Sequence, residues 1–113
     1  MVYGIIEEKS REDAMDFKEL TYVLAIARHQ NITRAAEALH LTQPTLSKFL
    51  KALETELHQP LFQRLGNRYQ PTYAGERYLQ RAREILEAKR ALDQEMGDII
   101  KNNEGYLLSL IHI

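Results

Sequence analysis

The chain has 113 residues, 44% hydrophobic and 27% charged, with five glycines, three prolines, no cysteine and a net charge of −1. That length is one domain with a real core, and the composition argues against a disordered chain. The lack of cysteine excludes a disulfide framework, a thiolate metal site and a thiol nucleophile; no apolar run is long enough for a membrane helix, and the opening MVYGIIEEKSREDA has neither the basic start nor the apolar stretch of a signal peptide.

Residues 1–14 hold four carboxylates and no clear period, and read as a loose leader; Met15, just before a well-formed helix start, is the expected native start. Asp16 with Glu19 three residues on is a capping-box arrangement, and Phe17, Leu20, Val23, Leu24 and Ala27 follow at helical spacing. This helix should stop near His29. Asn31 or Thr33 can cap a short second helix, Arg34 to Leu39, with Ala35, Ala36 and Leu39 inward. After His40-Leu41, Thr42 caps a third helix with Pro44 in its first turn, where a missing N–H costs nothing. Leu46, Phe49, Leu50, Leu53 and Leu57 form its apolar stripe; Ser47, Lys48, Lys51, Glu54 and Thr55 lie off it. Two short helices joined by a tight turn, the second opened by a polar cap, form a helix-turn-helix pattern.

From Gln59 to Thr72 the helical period fails. Leu61–Arg64 and Arg68–Gln70 read as two short strands with Leu65-Gly66-Asn67 as the tip, a wing on the helix-turn-helix. Thr72 then caps a long helix. Tyr78, Ala82, Ile85, Leu92, Met96 and Ile99 recur at alternating spacings of three and four, broken only at Lys89. So long an apolar seam exceeds what a small domain can cover, which predicts a coiled-coil-like dimer. Asn102–Gly105 should end the helix, and Tyr106–Ile113 reads as a strand-like run cut short.

Assembled in this order, the residues resemble the N-terminal DNA-binding region of the LysR-type transcriptional regulators. The resemblance runs from about Met15 to Gly105 and rests on Arg34–Ser47 for the helix-turn-helix, Leu53-Glu54 and Leu57 for the end of the recognition helix, Pro60–Arg64 for the first wing strand and Thr72–Gly75 for the start of the linker helix. Two positions depart from the family pattern. His58 stands where Gly usually follows the recognition helix, which puts a side chain at a left-handed cap. Pro71 stands where Leu usually precedes the linker Thr, which predicts a second wing strand that ends early.

The resemblance implies a mainly α fold: a winged helix-turn-helix of three helices and a two-stranded wing over 15–72, a linker helix for dimerisation over 73–103, and a truncated start of an effector domain over 104–113. It implies a bacterial, cytoplasmic regulator that binds double-stranded DNA as a homodimer, with no membrane partner; the small-molecule effector of the missing domain is not expected. The alternative is an interaction protein that forms heterodimers with full-length regulators through the linker helix.

The recognition helix in a major groove would offer its first turns to base edges. Gln43, Thr45, Ser47 and Lys48 are candidates: Gln pairs with adenine, Lys donates to guanine, and a Thr methyl touches the thymine methyl. Pro44 adds an apolar contact that the resemblance implies. Thr33 and Arg34 open the helix that crosses the backbone, where helix-terminal amides favour phosphate. Lys51 suits phosphate, and Arg64 and Arg68 beside the wing tip suit phosphate or the minor groove. His29, His40, His58 and His112 lie on separate elements without an i,i+4 partner, so no metal site is expected, and no cofactor or enzyme site is read.

The net charge does not exclude DNA. Residues 1–15 and 81–113 are acidic overall, while Arg28–Arg77 holds seven basic side chains against four acidic ones.

Overall fold

A computed structural model describes residues 16–111, with side chains through residue 103. The expectations for the leader, for Met15 and for residues 112–113 lie outside the described residues. The order is α1 (Phe17–His29), α2 (Ile32–Ala38), α3 (Gln43–Leu57), β1 (Phe62–Leu65), β2 (Arg68–Pro71) and α4 (Tyr73–Ile111). The described residues divide into two compact units, with the boundary between Ala82 and Arg83.

In the first unit each helix starts on a polar cap. Asp16 accepts from the Lys18 N–H at 2.9 Å, Asn31 from the Arg34 N–H at 2.9 Å, and Thr42 from the Thr45 N–H at 3.3 Å, each satisfying a backbone donor the helix ladder leaves open. Glu19 closes the capping box on the Asp16 backbone. Burial and the Asp16 charge nonetheless push its carboxyl above the usual range, outweighing that hydrogen bond.

A left-handed residue that is not glycine follows each of the three helices: Gln30 and His58 are the caps of α1 and α3, with φ of 55° each, and His40, with φ of 59°, comes one residue after the Leu39 cap of α2. After α2 the Leu41 N–H reaches back to the Ala36 carbonyl and the His40 N–H to Glu37; after α3 the Gln59 N–H reaches Glu54 and the His58 N–H reaches Thr55. These bonds satisfy the last carbonyls and offset the strain of a side chain in that conformation.

The core is built from Leu20, Val23 and Ile26 of α1, Ile32, Ala35 and Ala36 of α2, Leu46, Leu50 and Leu53 of α3, Leu61 and Phe62 at the wing, and Leu79 of α4. The alanines let α2 approach its neighbours closely, and an edge-on contact of Tyr22 with Phe49 (5.1 Å between ring centroids) ties α1 to α3. Two residues of the expected stripes are not core: Phe17 and Leu57 sit in terminal turns and are 45% and 41% exposed. Ile26, absent from the expected stripe, is fully buried.

The wing pairs antiparallel, Phe62 with Pro71 through Leu65 with Arg68. Its tip is two residues, not three, because Leu65 joins β1. Gly66 alone takes a positive φ there, 64°, the pattern of a type II′ turn. The early end expected at Pro71 does not occur. A two-stranded sheet has only edges, where a missing N–H is tolerated, and the next residue continues the pairing with a bond from the Thr72 N–H to the Leu61 carbonyl. Glu54 holds the wing to α3, its carboxylate accepting from the backbone N–H of Leu61 at 2.6 Å and of Phe62 at 3.2 Å.

Thr72 caps α4. Its hydroxyl accepts from the Gly75 N–H at 3.0 Å and donates to the Pro60 carbonyl at 2.6 Å. The expected stop at Asn102–Gly105 and the strand-like reading of Tyr106–Ile111 are both corrected, because the backbone stays helical through Ile111. Asn and Gly lower helix propensity without blocking it as Pro would, and a short apolar run does not by itself distinguish strand from helix.

Candidate nucleic-acid interface

Six of the expected contact residues fall on the first three turns of α3. Helical spacing puts Gln43, Ser47 and Lys51 in one row and Pro44 with Lys48 in the next; all are exposed or half-buried, while Leu46, Leu50 and Leu53 on the adjoining face lie in the core, and Gln43 and Ser47 border them. A polar row over a fixed apolar face can present side chains to a groove without moving the domain.

The row is already ordered. Gln43 Nε2 donates to Ser47 Oγ at 2.5 Å, and the Thr42 and Thr45 hydroxyls share a hydrogen bond at 2.7 Å. Thr42 is therefore a cap, as expected, and Thr45 is exposed beside it. Lys48 and Lys51 border an open patch of the α3 surface with Ala52, Thr55 and Glu56.

Thr33 and Arg34 are exposed in the first turn of α2, where Asn31, not Thr33, is the cap. Arg64 and Arg68 are exposed on the wing. Arg64 faces Tyr69 across the ladder, its guanidinium 5.5 Å from the ring centroid, and Tyr69 meets Phe62 edge-on. The Tyr69 N–H donates to the Gln30 carbonyl at 2.9 Å, joining the wing to the end of α1. The ten residues thus form three groups, on α2, α3 and the wing. Glu54 and Tyr69, which hold the wing and its arginine, were not singled out from sequence. Glu54 stood in the matched motif as part of a pattern, and Tyr69 had only its alternation in a strand to mark it.

The six seam residues of α4 divide. Ala82 is corrected: at 1% exposure it is buried within its own chain and is not available to a second one. Tyr78 is half-buried against the same core; that burial, then the charges of Glu19 and Glu56, pushes its phenol up to about 12. Ile85 is half-buried, and Leu92, Met96 and Ile99 are exposed, with Ile100 beside them. Lys89, at the break in the seam, bonds Asp93 at 2.6 Å.

Among the described residues no group of three or more His, Cys, Asp or Glu could hold a metal ion, and no described helix is long and apolar enough to cross a membrane.

Residues 17–76 match the family described as bacterial regulatory helix-turn-helix protein, lysR family. The chain is 39% identical over 93 residues to the HTH-type transcriptional regulator BudR of Klebsiella aerogenes, covering 82% of this chain and 65% of BudR. It is 48% identical over 73 residues to the HTH-type transcriptional regulator BsdA of Bacillus subtilis, covering 64% of this chain and 25% of BsdA. The chain thus spans between a quarter and two thirds of these curated relatives. Among solved structures it is similar to the DNA-binding domain of CbnR in complex with DNA (TM-score 0.65, 37% identity, 74% of this chain and 97% of that one). It is also similar to the DNA-binding domain of BenM with its benA site 1 DNA (TM-score 0.71, 29% identity, 75% of this chain and 96% of that one).

Proposed function

This chain belongs to the lysR family of bacterial regulatory helix-turn-helix proteins, and from that premise we propose that it regulates transcription by binding duplex DNA sequence-specifically as a dimer. The first turns of α3 lie in the major groove, the wing arginines reach the backbone or minor groove, and the α4 seam joins two copies. The observation that carries the reading is the polar row Gln43–Ser47–Lys51, exposed or half-buried along α3 beside a face locked into the core. The solved complexes of CbnR and BenM with DNA support it. Gln43, Pro44, Thr45 and Lys48 meet bases; Thr33, Arg34, Lys51, Arg64 and Arg68 meet phosphates or the minor groove. Leu92, Met96 and Ile99 leave an apolar strip on α4 for a second copy to cover, with Ile85 next in the seam, while Tyr78 packs against its own core. The site is that of a regulator, as in its relatives, and the expected location is the bacterial cytoplasm.

Selection from a randomised duplex pool, with oligomeric mass measured alongside, tests the proposal. The expected results are an enriched two-fold-related motif, a dimeric mass, and affinity that falls with salt by about 0.9 log units per log unit for each neutralised phosphate. Lys51→Ala should weaken all sequences alike, and Leu92→Glu should yield monomers. An unenriched pool, or salt-independent binding, refutes the DNA reading; a monomeric mass refutes the dimer.

A further inference from the structure

We infer that Ser47 is a positioning residue for base readout: its hydroxyl holds the Gln43 amide in place to read adenine, rather than reading a base on its own account. The inference rests on the DNA-binding reading above and deepens it.

Gln43 and Ser47 are one helical turn apart, and Gln43 Nε2 donates to Ser47 Oγ at 2.5 Å. A glutamine amide has two N–H donors and one carbonyl acceptor. With one N–H bound to Ser47, the other N–H and Oε1 remain, one donor and one acceptor side by side. Adenine offers the complement on its major-groove edge, the N7 acceptor and the N6 donor. The Ser47 contact therefore leaves unoccupied the atoms an adenine contact needs, and it holds the end of the Gln43 side chain in place.

The environment makes the pairing effective. Both residues are half-buried, unlike Pro44, Thr45 and Lys48 around them. Their backbone is held from below by buried Leu46 and Leu50, and from the helix start by the Thr42 cap with its Thr45 partner. A long side chain fixed before binding does not have to be ordered on binding, a cost that otherwise weakens affinity. The Ser47 oxygen accepts from Gln43, and its own proton stays free for a second acceptor.

The test uses the whole chain and a duplex selected with it from a randomised pool, then re-measured with every single base-pair change. Ser47→Ala removes the hydroxyl while raising helix propensity, so the fold persists and circular dichroism checks it. The expected result is that Ser47→Ala and Gln43→Ala relax preference at the same base pair, Ser47→Ala losing roughly three- to tenfold of the discrimination. The double variant should match Gln43→Ala alone, and Ser47→Thr, which restores a hydroxyl, should recover most of the loss. If the two single variants relax different base pairs, or their effects multiply in the double variant, Ser47 reads DNA independently and the inference is overturned. A wild-type chain that enriches nothing overturns the DNA reading itself, and the inference with it.

Discussion

Gly75→Ala and Gly97→Ala are the same substitution in the same helix and should change stability in opposite directions. Helix propensity alone favours both by roughly 0.8–1 kcal/mol, since Ala is a better helix former than Gly. At Gly97 a new Cβ meets nothing within 4 Å, so that gain should stand. At Gly75 the Cβ would lie 1.9 Å from the Leu61 carbonyl oxygen and 2.9 Å from its carbon. Ordinary contact begins at 3.4 Å, so backbone would have to move by about 1.5 Å, a distance no rotamer change supplies. Leu61 is not free to move: its carbonyl accepts from the Thr72 N–H at 3.0 Å, its N–H donates to Glu54 at 2.6 Å, and its side chain is fully buried. Overpacking of about 1–3 kcal/mol plus the weakening of two hydrogen bonds at about 1 kcal/mol each outweighs the propensity gain. The net loss should be about 2–4 kcal/mol, a fall of roughly 10–25 °C in Tm for a domain of this size. Thermal and urea unfolding followed by circular dichroism measure it. A Gly75→Ala chain as stable as wild type would refute the claim that α4 and Leu61 are in fixed contact.

Other outcomes follow from single contacts. Glu54→Ala leaves the Leu61 and Phe62 amides without their carboxylate and should destabilise by about 1–3 kcal/mol, with amide exchange faster in the wing than in α1. His58→Gly removes the cost of a side chain at φ 55° and should stabilise by about 0.5–1 kcal/mol in urea unfolding; a loss would contradict the left-handed cap. Tyr78 has a folded pKa raised from 10.0 to about 12, so its contribution is fully present below pH 10 and lost as pH rises from 10 towards 12. Tyr78→Phe should flatten that decline in a Tm-against-pH series, and an unchanged decline assigns it to other groups. Tyr69→Ala frees Arg64 from its ring and should weaken DNA binding several-fold across all sequences; a loss confined to one base pair would contradict a backbone or minor-groove role.

Capping signals and apolar spacing located the starts of α1, α3 and α4, because each is dictated by one side chain reaching its own backbone; α2 starts on Asn31 at Ile32, two residues before the expected Arg34, and buries that isoleucine. The helix stops were less legible. Glycine marks a left-handed end in a sequence, and Gln30, His40 and His58 take that role without it; His58 was recognised only through the family pattern. The wing was placed to within a residue, but Glu54 binds amides seven and eight residues away, a contact that no local period encodes. Spacing also grouped Ala82 with the exposed seam, since a period records which residues share a face and not which body covers it. Beyond Gly105 a short apolar run fitted strand and helix alike. In the candidate interface, residue types and helix positions were legible, while the Gln43–Ser47 bond depends on rotamers.

The bond network around Glu54 has a consequence for changing what this domain reads. Its carboxylate lies about two turns beyond Ser47, so the wing takes its anchor from a part of α3 that the first turns do not touch. Residues 43, 45, 47 and 48 could be exchanged as a cassette while the wing stays where it is. Recoding one end and retuning the other then become separable engineering problems within a single small domain.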